Sequence, residues 1–363
     1  MVFQCSRQTR AQLVWWLSIC ALLVACMVML GGAVRLTGSG LSMVDWKPIM
    51  GIIPPIGDKD WLLAFAQYKQ FPEYQLVNKG MSLAEFQFIY YMEYIHRVLG
   101  RVLGMAFILP FLWFLVRGSL DGKLKIRLGV LLLLGACQGL MGWYMVISGL
   151  VDDPHVSHFR LTAHLMLAVV IFAYMIRLIT LLLSQTDLVT RQNSRAHSLM
   201  STGVLVLVLL MIATGGLVAG TRAGFIYNTW PLMGGDLLPE MVFAMSPWWG
   251  NFLNNAIAIQ FMHRWLAFFI AMLVIALAFM VLKQDRRRSA RYAAVASLVA
   301  IGLQITLGIS TLVMQVPLSL GVLHRGGALL LLATIVVIQA LSTAGLASQQ
   351  SEASFNQPGT RPA

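Results

Sequence analysis

The sequence predicts an all-α membrane protein, with eight transmembrane helices arranged as two tandem four-helix bundles related by a pseudo-twofold axis. Three observations carry this. The 363 residues are 58% hydrophobic and 11% charged, less than half the charged share of a soluble domain, about 25%. The apolar residues gather into eight continuous runs, each near the roughly 20 residues that cross a bilayer. The last four runs repeat marks of the first four. This composition excludes a soluble enzyme, intrinsic disorder and a small disulfide scaffold. The net charge of +12, from 26 Lys and Arg against 14 Asp and Glu, is read as membrane orientation, and no nucleic-acid partner is expected.

The runs fall at about 12–33, 88–115, 128–149, 159–183, 198–219, 256–282, 292–314 and 319–343. They are continuous rather than alternating, which argues against strands. The first run is too long for a signal-peptide core and ends in Gly-Gly-Ala-Val-Arg rather than a cleavage site, so it is read as a retained helix. Before the second run, Ser82-Leu83-Ala84-Glu85 fits a capping box, so this helix is expected to begin above the membrane. Upstream, residues 58–71 predict a short interfacial helix, either a lid or an ordinary surface segment. The polar residues 349–363 are expected to be a disordered cytoplasmic tail.

Loop charge orients the chain. With the N-terminus inside, the inner segments hold 14 Lys and Arg and the outer loops hold six: Arg35, Lys47, Lys59, Lys69, Lys79 and Arg222. The two short outer loops have none, so both termini are placed in the cytoplasm. Cys5, Cys20, Cys26 and Cys137 lie outside the outer loops, and no structural disulfide is expected.

The repeat sits where helices meet loops. At an offset of 184, Gly31, Gly32, Gly40, Trp46, Gly51 and Pro55 match Gly215, Gly216, Gly224, Trp230, Gly235 and Pro239. Ile95-His96-Arg97 matches Met262-His263-Arg264, and His164 matches His324. Four helices per unit is even, so both units insert the same way, with the axis along the membrane normal. The expected partition is a bundle over 1–190 with a long outer loop 34–87, a second bundle over 191–348, and the tail.

Of seven histidines, His197 falls in a cytoplasmic loop and His155 and His158 in a short outer loop. The other four, His96, His164, His263 and His324, fall one per even-numbered helix, at similar depth in the outer half of the membrane. A lone helix histidine is usually a satisfied core residue. Four at one depth, two per bundle, point instead to two bis-histidine haem sites, because imidazole ligates haem iron and facing helices build such sites. Zinc is disfavoured by the lack of nearby helix Cys, Asp or a third His, and a proton relay stays open. Arg97, Arg264 and Arg325 each follow a histidine, and Arg160 precedes His164 by four. They are read as partners of haem propionates, with snorkelling to headgroups as the plain alternative.

The halves differ at Glu93, which shares a helix face with His96 and is matched by Gln260. A carboxylate at this depth works on the substrate, pairs with Arg97 or Arg160, or is an interfacial residue exposed to water. On the first reading, the first half is reactive and the second is a fixed cofactor site.

Taken together, RLTGSGLSMVDWKPIMGIIPP, EYIHRVLGR, GTRAGFIYNTWPLMGGDLLP, FMHRW and LHRGGALLLL resemble the haem A synthase family. The likeness spans all eight helices and both large outer loops, and is to the proteobacterial and mitochondrial branch that lacks an outer-loop cysteine pair. It implies oxidation of the C8 methyl group of haem O to the formyl group of haem A, for haem-copper oxidases in the inner membrane. By the resemblance, His96 and His164 hold substrate haem O, Glu93 is the acidic residue of turnover, and His263 and His324 ligate a haem b that relays electrons. Handover from the farnesyltransferase that makes haem O is a further implication, and a homo-oligomer is left open. The competing readings are a dihaem b-type electron-transfer cytochrome, which would not need Glu93, and a haem transporter, which would need sites open to both sides.

Overall fold

The computed structural model describes residues 3, 5–44, 53–149, 156–184 and 195–355, the side chains of 345–355 excepted. His155 and Trp46 lie outside the described residues. Eight helices are long and apolar enough to span a membrane: α1 (Arg7–Leu36), α4 (Leu83–Val116), α5 (Gly122–Ile147), α6 (His158–Leu183), α7 (Arg195–Gly220), α9 (Ala256–Gln284), α10 (Arg288–Val313) and α11 (Leu318–Phe355). The shorter α2 (Asp58–Tyr68), α3 (Pro72–Leu76) and α8 (Asn251–Asn254) belong to the long loops. Each predicted run is therefore one helix, and the described residues form no strand beyond an isolated bridge between Met233 and Asp236.

The helix starts follow from capping chemistry. Four amides at a helix start lack internal partners. At α4 the Ser82 hydroxyl accepts from the Glu85 amide while the Glu85 carboxylate accepts from the Ser82 amide at 2.8 Å, the predicted capping box. Asp121 caps α5 through the Leu124 amide at 2.6 Å, and Asn255 caps α9 through the Ile257 amide at 3.0 Å. Helix α11 runs on to Phe355, into the segment 349–363 expected as a tail. Ala, Ser, Gln and Glu there tolerate a helix, and the first Pro and Gly come only at 358 and 359.

Packing follows the duplication. In the first half α1 packs on α4, α4 on α5, α5 on α6 and α6 on α1; in the second, α7 packs on α9, α9 on α10, α10 on α11 and α11 on α7. Between the halves α1 meets α11, α6 meets α7 and α6 meets α11. Exchanging the halves leaves this set of pairs unchanged, which is compatible with the pseudo-twofold axis. The seam helices α6 and α11 are the most buried spans, and α5 the least. Away from the loops, Arg177 of α6 bonds Gln339 and Thr343 of α11 across the seam. The four cysteines are free.

The end of the bundle carrying the long loops is here called the loop face. Over the first half, α2, α3 and the start of α4 form a small aromatic core. Phe86 stacks on Phe65 at 5.0 Å and on Tyr68 at 5.1 Å, with Trp61 and Ile89 completing it. Within it the Tyr68 hydroxyl donates to Glu73 at 3.0 Å and accepts from Asn78 at 2.8 Å. A helix thus occupies Asp58–Tyr68 of the segment 58–71, and it is tied down by contacts of its own.

Burial pushes the Glu73 carboxyl from its ordinary 4.5 up to about 7, against the opposing bond from Tyr68. The packed segment therefore holds a proton that it gives up on opening. Its stability is full below about pH 4.5 and falls as pH rises through about 7. Amide exchange across residues 58–78, corrected for intrinsic chemistry, should accelerate between about pH 5 and about pH 8, and Glu73→Gln should flatten that dependence.

Candidate functional site

His96 on α4, His164 on α6, His263 on α9 and His324 on α11 lie toward the loop face of their helices. Each faces a glycine of a neighbouring helix. A Cβ on Gly31 of α1 would stand 3.1 Å from His96 Nε2, and one on Gly142 of α5 would stand 3.0 Å from His164 Cε1. In the second half the distances are 3.3 Å from Gly215 of α7 to His263 and 3.0 Å from Gly308 of α10 to His324. All four are tighter than ordinary contact, so any side chain at these glycines would displace a ring. A glycine inside a helix costs about 1 kcal/mol against alanine. Here that cost makes room for an imidazole between closely packed helices.

The seats pair the rings. His96 and His164 sit on α4 and α6, which α1 and α5 join in the first bundle, and His263 and His324 on the counterparts α9 and α11, joined by α7 and α10. All four residues are half-buried. The Thr214 hydroxyl stands 2.8 Å from both the Met211 carbonyl and His263 Nδ1 and so anchors that ring. With its proton on the carbonyl it accepts from Nδ1–H, which leaves His263 a lone pair at Nε2. The equivalent position in the first half is Leu30, and His96 bonds instead to the Met27 backbone.

These residues fit a haem. Nδ1 of His164 and of His324 is buried without a hydrogen-bond partner among the described residues, as is Oε1 of Gln138 and of Gln304. Two imidazoles on separate helices of one bundle could both ligate a haem iron held between them. No group of three or more His, Cys, Asp or Glu able to hold a metal ion occurs among the described residues, which disfavours zinc.

Glu93 is 3% exposed and fully engaged. Its Oε1 pairs with Arg97 at 2.5 Å, and its Oε2 accepts from the Ser42 hydroxyl at 2.7 Å and the Met43 amide at 2.8 Å. Arg97 also donates to the Met43 carbonyl at 3.0 Å. The pairing alternative raised from the sequence is therefore the geometry observed. In the second half Gln260 donates to the Tyr227 carbonyl at 3.0 Å. Tyr227 is the repeat equivalent of Met43, so both halves pin the same loop position, one by an acceptor and one by a donor.

Arg264 likewise donates to the carbonyls of Thr229 at 3.0 Å and Pro231 at 2.9 Å, and it lines a cavity of about 330 Å³ with Trp230, Trp265 and Phe268. Arg160 donates to the Tyr144 carbonyl at 3.0 Å and lies over the Tyr144 ring. Arg97, Arg160 and Arg264 are thus engaged by backbone carbonyls. Arg325 packs instead against Gly32 of α1.

Sequence reasoning missed Gln138, Gln304, Gly142, Gly308 and Thr214. A signal for the first four was present: Gln-x-x-x-Gly occurs at 138–142 and again at 304–308, an offset of 166.

A family profile described as "Cytochrome oxidase assembly protein" matches residues 14–336. The chain is 48% identical over 317 residues to a protein of Nitrosospira multiformis named haem A synthase, covering 87% of this chain and 89% of that one. Proteins of the same name from a Bradyrhizobium species and from Paramagnetospirillum magneticum are similar, at 45% identity (90% of this chain, 89% of that one) and 48% identity (87% and 90%).

The glycine seats are separable by mutation. Gly142→Leu should cost the purified protein the haem of the first half, and Gly308→Leu that of the second, read as haem per chain. Gly139→Leu is the control, because a Cβ there meets nothing.

Proposed function

We propose, from the premise that the chain belongs to the cytochrome oxidase assembly family and within it to the haem A synthases, a division of labour between its two halves. The chain is an enzyme of the membrane that oxidises the C8 methyl group of haem O to the formyl group of haem A. The first bundle, 1–190, takes substrate haem O between His96 and His164. The second, 191–348, holds a haem b between His263 and His324. The observation that carries this is the set of four histidine seats, two per half, each opposite a glycine at equivalent positions of the repeat.

A bound haem b supplies one-electron transfer. The residues of the chain do the rest. Thr214 holds the His263 proton on Nδ1 and so presents Nε2 as a ligand. His96 lacks that side-chain anchor, which suits a site whose occupant enters as substrate and leaves as product. Conversion of the methyl to a formyl group takes up one oxygen and gives up protons on the His96 side, where Glu93 stands three residues from the histidine, while its electrons would pass to a haem b in the second half. Glu93 Oε2 is held by Ser42 and the Met43 amide and its Oε1 by Arg97, so it faces the reaction as an oriented group rather than a mobile one. The aromatic lid over α4 limits water at this site. The second half has an amide at the matching position and no lid of this kind, which supports assigning the chemistry to the first half.

Loop charge supports both termini in the cytoplasm, with the loop face and the haem sites in the outer half of the inner membrane. Haem O is lipophilic through its farnesyl chain, so a membrane-embedded site suits it, and direct transfer from the farnesyltransferase that makes it follows from the same property.

Haems extracted from protein made with and without a haem O supply test the reading. Haem b should be present in both. With the supply, haem O should convert to a species heavier by one oxygen less two hydrogens. Haem b as the sole haem under both conditions would instead favour a dihaem electron-transfer cytochrome. Glu93→Gln should keep both haems and lose at least tenfold in conversion, since the amide can still accept from Ser42 but no longer pairs with Arg97. Undiminished conversion would remove Glu93 from the mechanism.

A further inference from the structure

Three arginines from both halves meet at the seam near the loop face. Arg35 ends α1 and reaches across to the Gly220 carbonyl at the end of α7, at 3.4 Å. Arg222 follows α7 by two residues and so lies two residues from the carbonyl that Arg35 reaches. Arg325 of α11 packs on α1, the helix that carries Arg35, where a Cβ on Gly32 would stand 2.7 Å from its Nη1. Among the described residues, the ion pairs seen (Arg97 with Glu93, Arg287 with Asp285) include none of these three cations. Partly buried like charges at close range are costly unless an anion joins them.

Their location says which anion. Gly31 and Gly32 are neighbours on α1. Gly31 seats His96 of the first half, and Gly32 seats Arg325, which directly follows His324 of the second. Arg325 is thus one residue from a ligand of one site and stands against the helix that seats a ligand of the other. Arg35 lies three residues beyond Gly32, about 4.5 Å farther toward the loop face. The repeat equivalents of Arg35, Arg222 and Arg325 are Ala219, Gly38 and Leu165, so the cluster is one-sided and is not a by-product of the duplication.

We propose that Arg35, Arg222 and Arg325 form an oxyanion site on the seam that binds propionate carboxylates of the haems on either side and joins the two sites electrostatically. Guanidinium binds carboxylate through paired N–H donors, and three guanidiniums suffice for carboxylates from both directions. The cluster also places positive charge near the second-half haem, which favours its reduced form. This rests on the haem placement proposed above and goes beyond it in naming Arg35 and Arg222 and in giving the seam a ligand.

The test compares wild type with Arg325→Gln, Arg325→Lys and Arg35→Gln in purified protein. Readouts are haem per chain, the midpoint potential of the bound haem b, and co-purifying phospholipid by native mass spectrometry. Both Gln variants should lower the midpoint potential, Arg325→Lys should stay near wild type, and phospholipid content should not change. A packing role for Arg325 would not distinguish Gln from Lys by charge. If the Gln variants keep their haem at the wild-type potential, the proposal fails. If they instead shed a bound anionic phospholipid while the potential holds, the oxyanion is a lipid phosphate and the proposal fails. A wild type without haem would overturn the haem placement itself, and this inference with it, before any variant is compared.

Discussion

An imidazole can lie between two closely packed helices only where the facing helix gives up its side chain, and the membrane core of this protein is organised around that constraint. The two Gly-Gly pairs show it most clearly. Gly31 and Gly215 seat His96 and His263 within their own halves. Their neighbours Gly32 and Gly216 face the other way and let the opposite half approach, where a Cβ would collide with Arg325 or with Thr162. One dipeptide per half therefore fixes both the ligand and the seam. The rigidity of a helix transmits one position to the other, because adjacent residues point about 100° apart. Changing either glycine to anything larger moves a ring or parts the halves.

On this shared frame the halves are tuned differently by single residues. Each pins its loop to the helix carrying its first histidine, at Met43 or at Tyr227. Gln260 does so with a neutral donor. Glu93 does so with a charge that must be compensated, and Arg97, Ser42 and the Met43 amide compensate it. A buried carboxylate that served only as a clip would be a poor choice, since an amide performs the same task in the other half without the desolvation cost. The histidines differ in the opposite sense: Thr214 locks His263, while Leu30 leaves His96 to a backbone contact. Rigid ligand with neutral clip, and looser ligand with charged clip, are the two combinations that a resident cofactor and a transformed substrate would call for.

How much of this was legible follows the range of the interactions. The eight spans were readable because apolar runs of bilayer length have one structural outcome in lipid. The capping box of Ser82 and Glu85 and the helix at Asp58–Tyr68 were readable because their determinants lie within a few residues. The histidines stood out because polar residues are rare in such helices. Gln138 and Gly142 did not, since glutamine and glycine carry no signal in a small-residue-rich span until their counterparts Gln304 and Gly308 are aligned. The partners of Glu93 were beyond reach, because Ser42 lies 51 residues away and its hydroxyl meets the carboxylate only once the loop has folded back.

The seam explains why two such bundles belong in one chain. Were the halves independent, each would complete its own site. They do not: Arg325 belongs to the second half by sequence but packs on the helix that seats a first-half histidine, and Arg35 of the first half bonds the end of α7 in the second. A redox reaction that draws electrons from one site into another depends on their separation and on the charge between them, and both are set where the halves meet. Charge fixed there by residues of both halves cannot be altered in one site without being felt in the other. The duplication supplied two similar four-helix cradles, and Arg35 and Arg325, which have no counterparts in the repeat, tie them together at their junction.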